Sequence, residues 1–364
     1  MWGGWSISMA AELAARCDEA ARCRLAIARV HALQGRPEQS SSPTPDAPPS
    51  RRVWATLLTN AAYVSGVKAL HNSLLAVESA YALVVMITSG VPAADVATLT
   101  EHGCELLTIE VLPLPAGKGD QVPYMSPQFA ECWTKLRVWQ QVQFERVVLL
   151  DADMIVLKNM DELLDGNRRN DVRQACEIEA VHECFCAVKR GDTPCAHHHS
   201  QDGPLQPSAS SYFNAGLIAL TPSIALFEHM LAALAAIDLS ACAFAEQDFL
   251  NAYFLGCWRA LPWVYNATKT LYACHRPNIN GCDATGMWSL PEVRNLHFTM
   301  AKPWDLRHPL HKGFERLNTL WFAAFAEPDT LVRVLLKVHL QEKREQREQR
   351  GQREQQQQQQ PAGG

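Results

Sequence analysis

The chain has 364 residues, 48% of them hydrophobic and 20% charged, enough to fill the core of one large domain or two small ones. Lys and Arg total 33 against 38 for Asp and Glu, a formal net charge of −5, so the basic surplus of a general nucleic-acid binder is missing. No uncharged apolar run reaches about 18 residues, which excludes a conventional transmembrane helix, and the composition fits neither a collagen nor a wholly disordered chain.

Residues 1–36 are expected to hold an accessory helix, because 8–33 are rich in Ala, Leu and Arg. Residues 37–50 (PEQSSSPTPDAPPS) carry five prolines and four serines and read as a linker. A folded domain is expected over 51–340, followed by a Gln-rich charged tail over 341–364. The 12 cysteines are scattered without a disulfide framework, and the opening residues lack the basic start of a secretory signal. A cytoplasmic location with reduced thiols is therefore expected.

From Val53 the pattern becomes α/β. Residues 53–59 form a short apolar strand ending in Thr-Asn, and 63–76 suit a helix. Residues 81–88 are almost continuously apolar, as a parallel strand buried on both faces would be. Pro92 and Asp95 open another helix, and 106–111 form a third strand. Ser126-Pro127 starts a helix that places Phe129, Trp133, Leu136 and Gln140 on one side. Residues 146–150 (RVVLL) form a fourth strand. Residues 166–210, with four cysteines and His197-His198-His199, read as an irregular surface or binding insert. Residues 212–220 form another strand, Thr221-Pro222 caps a helix running to about Ala236, and 244–254 suit a helix. Strands alternating with helices predict an α/β domain with a mostly parallel open sheet.

The strand 146–150 stops at Asp151-Ala152-Asp153. Side chains two apart on a strand share a face, so both carboxylates reach into the crevice where α/β sheets bind ligands. Adjacent carboxylates repel unless a cation or proton separates them, and a divalent ion touching a phosphate resolves the conflict. The bland alternative is a turn with capping aspartates. His297 and Lys302, in HFTMAKPW, add an imidazole suited to Mn²⁺ and a point charge suited to phosphate, against a simple loop histidine and surface lysine. Cys184, Cys186 and Cys195 beside the histidine run suggest structural zinc, but Cys-x-Cys is tighter than the usual spacing. Asn266-Ala-Thr268 matches a glycosylation acceptor. No glycine-rich phosphate loop is present.

Six ordered blocks together resemble the retaining glycosyltransferases of family 8, the group of glycogenin and galactinol synthase. They are TNAAYVSGVKAL (59–70), TKLRVW (134–139), LLDADMIVL (149–157), YFNAGLIAL (212–220), AEQDFLNAYF (245–254) and HFTMAKPW (297–304). The resemblance implies a GT-A fold and a Mn²⁺ site on Asp151, Asp153 and His297. It places Thr59, Asn60, Tyr63, Arg137, Asp151, Ala152, Asp153, Gly216 and Lys302 around a UDP-sugar. It assigns Lys135, Asn214, Glu246, Gln247 and Asp248 to the catalytic set. The implied partners are UDP-galactose or UDP-glucose, a small polyol or glycan acceptor and, as an oligomeric option, a second copy of the chain. EHGCELLTIE and Glu183-Cys184-Phe185-Cys186 are more similar to the galactinol synthase side, whereas Asp-Ala-Asp is similar to glycogenin. A self-glucosylating reading would use Tyr253, Tyr265 or Tyr272; a third reading is a non-catalytic scaffold.

Overall fold

The computed structural model of the chain describes residues 51–119, 122, 124, 127–165, 178–184, 212–275, 287–308, 311–341 and 344. The expected accessory helix, the linker and nearly all of the Gln-rich tail lie outside them, as do Cys186, Cys195 and the histidine run.

Seven strands build the main sheet: β1 (Arg51–Leu58), β2 (Leu83–Ile87), β3 (Glu105–Thr108), β4 (Phe144–Leu150), β6 (Ile178–His182), β7 (Phe213–Leu220) and β8 (Trp258–Leu261). Their order is β3-β2-β1-β4-β7-β6-β8. All neighbours pair in parallel except β7, which runs antiparallel to both β4 and β6. The apolar runs are buried on both faces, as a layered α/β sheet requires: β2 and β7 contain no exposed residue. Helix α1 (Val64–Ala76) and helix α2 (Ala93–Glu101) cover one face. Helix α4 (Ile224–Ala236) and helix α5 (Glu246–Tyr253) cover the other, with the segment Pro127–Gln140. The short helix α3 (Glu162–Asp165) lies between β4 and β6 in the chain.

A second sheet, of β5 (Met154–Val156), β9 (Ala267–Thr268) and β10 (Asn295–His297), has the order β5-β10-β9. Helix α6 (Lys269–His275), helix α7 (Glu315–Ala326) and a helix over 328–341 complete its core. Among the described residues no helix is long and apolar enough to cross a membrane.

Three sequence expectations change. Residues 178–182, placed in the irregular insert, form the fully buried strand β6. Glu179 interrupts its apolar run, and that carboxylate is matched by Arg146 at 3.3 Å and by Arg259. The segment Pro127–Gln140, expected as a helix, winds as 3-10 turns, and Ser126 lies outside the described residues: Trp133, Leu136 and Trp139, three apart, are all fully buried. The cap of α4 is Ser223, whose hydroxyl accepts from the Leu226 amide at 3.3 Å, and Thr221-Pro222 precede it.

Candidate active site

The topology gathers the chemistry at one edge of the sheet. β4 ends at Leu150, and Asp151, Ala152 and Asp153 bridge it to β5. Because β7 runs against β4, its first residues lie beside that end: Leu150 pairs with Leu217, and the Asp151 amide donates to the Gly216 carbonyl at 2.8 Å. In the second sheet His297 pairs with Met154, and the Phe298 amide donates to the Asp153 carbonyl at 2.9 Å. Two strand pairings thus bring residues about 145 positions apart onto one turn.

His297 Nε2 lies 3.3 Å from Asp153 Oδ1 and 3.8 Å from Asp151 Oδ2. Among the described residues this is where three possible metal-ligating side chains converge, with ligand atoms within 4.8 Å of one another. The donor set suits a divalent cation. His297 Nδ1 faces Asn266 Oδ1 at 2.9 Å, an acceptor only, so this nitrogen carries the proton and Nε2 presents its lone pair to the carboxylates. Asn266 in turn donates to Asn214 Oδ1 at 2.9 Å. Gly216 makes room for the ring: a Cβ there would stand 2.4 Å from His297 Cε1. Gly66 does the same for the aspartate turn, since a Cβ would meet the Ala152 carbonyl oxygen at 2.2 Å.

Two ammonium groups balance the carboxylates. Lys135 Nζ lies 2.7 Å from Asp151 Oδ1 and 2.8 Å from Glu246 Oε1. Burial works against its charge, but Asp151 and Glu246 hold Lys135 well above the ordinary lysine value. Lys302 Nζ donates to Asp153 Oδ2 and, at 3.2 Å, to the Phe298 carbonyl. Burial would raise the Asp153 carboxyl, yet Lys302 and His297 keep it well below the usual carboxylate range. Glu246 is pushed up by burial, partly offset by Lys135.

The remaining sequence-selected residues divide between this corner and its surroundings. Thr59 and Asn60 donate to Glu131, Asn60 at 2.6 Å. Tyr63 stacks edge-on against Trp304 at 5.6 Å, with Lys302 Nζ 5.8 Å from its ring centre. Gln247 is held by the Ala215 amide at 2.9 Å and reaches Tyr212 at 3.3 Å, and Tyr212 donates to Asp248 at 2.6 Å. Arg137 contacts Glu110, Gln140 and the face of Phe227, none of them members of the acidic cluster.

Sequence reasoning passed over Asn266, Glu131 and Tyr212 as site residues. Asn266-Ala-Thr268 matches an acceptor pattern by composition alone: the Asn266 side chain is fully buried and both ends of its amide are engaged. Glu183 was noted only as a mark of likeness. It accepts from Asn214 at 2.6 Å, and burial pushes its carboxyl up. Of the suggested zinc ligands, Cys184 is described; its sulfur lies 3.4 Å from His275 Nε2.

Known proteins place the chain in a family. The sequence profile named glycosyl transferase family 8 matches residues 55–306. Galactinol synthase 3 of Arabidopsis thaliana is 30% identical over 267 residues, spanning 70% of this chain and 74% of that protein. Galactinol synthase 1 of Solanum lycopersicum is 31% identical over 250 residues, spanning 68% and 72%. Among solved structures, the galactosyltransferase LgtC, crystallised with donor and acceptor sugar analogs, superposes with a TM-score of 0.53 at 19% identity. The match covers 75% of this chain and 95% of LgtC, and this likeness is one of fold, the GT-A fold. With the profile spanning most of the chain, the protein belongs to glycosyl transferase family 8 and is a glycosyltransferase.

Proposed function

We propose that the chain moves galactose from UDP-galactose to a small polyol of the inositol class, with retention at the sugar carbon. The observation that carries this reading is the meeting of Asp151, Asp153, His297 and Lys302 at one sheet edge, in a chain that is about 30% identical to galactinol synthases. Asp151, Asp153 and His297 would hold Mn²⁺, which when bound supplies positive charge to the diphosphate as it departs. Lys302 would add a second positive charge to the same diphosphate, and Thr59, Asn60 and Tyr63, just after β1, would line the nucleoside side. Lys135 fixes the orientation of Asp151 and Glu246 through its two ion pairs. Asn214, Gln247 and Asp248 are held by Glu183, the β7 backbone and Tyr212, so they present a rigid wall to the sugar. The bond from the sugar carbon to the diphosphate oxygen breaks. A bond to an acceptor hydroxyl oxygen forms on the same face, and the hydroxyl proton passes to the departing diphosphate oxygen.

Two observations weigh against the competing readings. Tyr253, Tyr265 and Tyr272 are buried, at 1%, 5% and 8% exposure, so none is presented as a self-glucosylation acceptor. The charged set is complete, which a bare scaffold does not require. The test is product analysis with Mn²⁺, UDP-galactose and inositol. Galactosyl-inositol and free UDP are expected. Hexose added to the protein itself, or UDP binding without turnover, would overturn the assignment.

A further inference from the structure

Lys269 is the first residue of α6, directly after Thr268, the β9 partner of His297. Its side chain is buried, at 4% exposure. The ammonium donates to the Ala301 carbonyl at 2.7 Å and stands 4.5 Å from the ring centre of Phe314. Among the described residues no carboxylate pairs with it. Burial first, and then the nearby Lys302 charge, pull it from the ordinary 10.5 down to about 8. Burying an ammonium on one carbonyl and one ring is costly, and an apolar side chain would fill the space at less cost.

The carbonyl it holds belongs to the turn that carries Lys302. That turn is strained: Met300, not a glycine, has φ +65°. It is tied at both ends. The Phe298 amide donates to the Asp153 carbonyl at 2.9 Å, and His311 Nε2 donates to the Lys302 carbonyl at 2.9 Å. Asn318 donates to the other His311 nitrogen at 3.1 Å and so sets that tautomer. Between these ties, the Ala301 carbonyl is held by Lys269.

We propose that Lys269 is a positioning residue for Lys302: by holding the Ala301 carbonyl it keeps the left-handed turn at Met300 in the form that delivers the Lys302 ammonium to the Asp153 corner, and so sets the affinity for the donor's diphosphate. This rests on the reading of that corner as the diphosphate site. It predicts that Lys269 acts through Lys302, not beside it.

The experiment is calorimetric titration of the full chain with UDP in Mn²⁺, using wild type, K269M, K302M and the double variant. Wild type binds. K302M weakens UDP by ten- to a hundredfold, and K269M by about tenfold. The double variant binds no more weakly than K302M alone. K269R, which can still reach the carbonyl, restores most of the affinity. M300G, which removes the left-handed strain, recovers affinity in the K269M background. Should K269M not fold, K269Q, too short to reach Ala301, takes its place with the same expectation. Wild-type affinity in K269M with only a lower melting temperature would overturn the proposal. So would an equal loss in the presence and absence of Lys302. A wild-type chain that ignores UDP in Mn²⁺ would instead overturn the diphosphate reading itself, and this inference with it.

Discussion

Two neighbouring parts of the site solve the burial of polar groups in opposite ways. Around residues 212–214 and 247–251 amides, hydroxyls and backbone satisfy one another. Asn251 accepts from the Phe213 amide at 2.7 Å and donates to the Phe213 and Gln247 carbonyls, and Gln247 takes the Ala215 amide. Around residues 151–153, 297 and 302, three carboxylates, two ammonium groups and an imidazole crowd together. The first region holds shape with its polar groups already paired to one another. The second concentrates charge that a cation and a diphosphate can take up, and the first fixes where that charge sits through the chain Glu183, Asn214, Asn266, His297.

The contrast can be broken from the charged side. D153A is expected to lower transfer on the order of 10³-fold with the fold intact, read as UDP release alongside circular dichroism. K135M removes one partner from a buried cluster and leaves Asp151 and Glu246 facing each other. It should cost about 3–5 kcal/mol in urea denaturation as well as activity.

The line between the regions is sharpened by N266A. It frees the Nδ1 side of His297 without touching a carboxylate, and should weaken Mn²⁺ binding about 10- to 100-fold with a smaller loss of stability. N251A belongs to the shape-holding side. It leaves the Phe213 amide without its acceptor and should cost about 1–3 kcal/mol of stability while UDP affinity stays within twofold. A further test is in pH. The folded chain holds Lys269 near 8 against 10.5 ordinarily, so between those values the unfolded chain binds more protons. Stability should therefore rise with pH from about 8 to 10.5, and that rise should disappear in K269M.

The same division explains what could be read from sequence. Asp151 and Asp153 were legible because an apolar strand stops at them, and the buried runs of β2 and β7 were legible because both faces are covered. His297 was a candidate by its imidazole, but only its likeness to a known block joined it to the aspartates, since nothing in its spacing predicts that β10 pairs with β5. The pairing of Lys135 with Glu246 spans 111 positions and depends on α5 packing against the 3-10 segment. β6 was missed because Glu179 looks like a break until Arg146 and Arg259 are seen opposite it. Asn266 was not legible as a site residue because a three-residue pattern carries no information about burial.

The central claim is that Asp151, Asp153 and His297 hold a divalent cation that the donor's diphosphate shares with Lys302. Titration of UDP into the full chain, in Mn²⁺ and then in EDTA, tests it most directly, with H297A beside wild type. Tight binding in Mn²⁺ that is lost in EDTA and in H297A is the predicted result. Equal UDP affinity in all three conditions would contradict it.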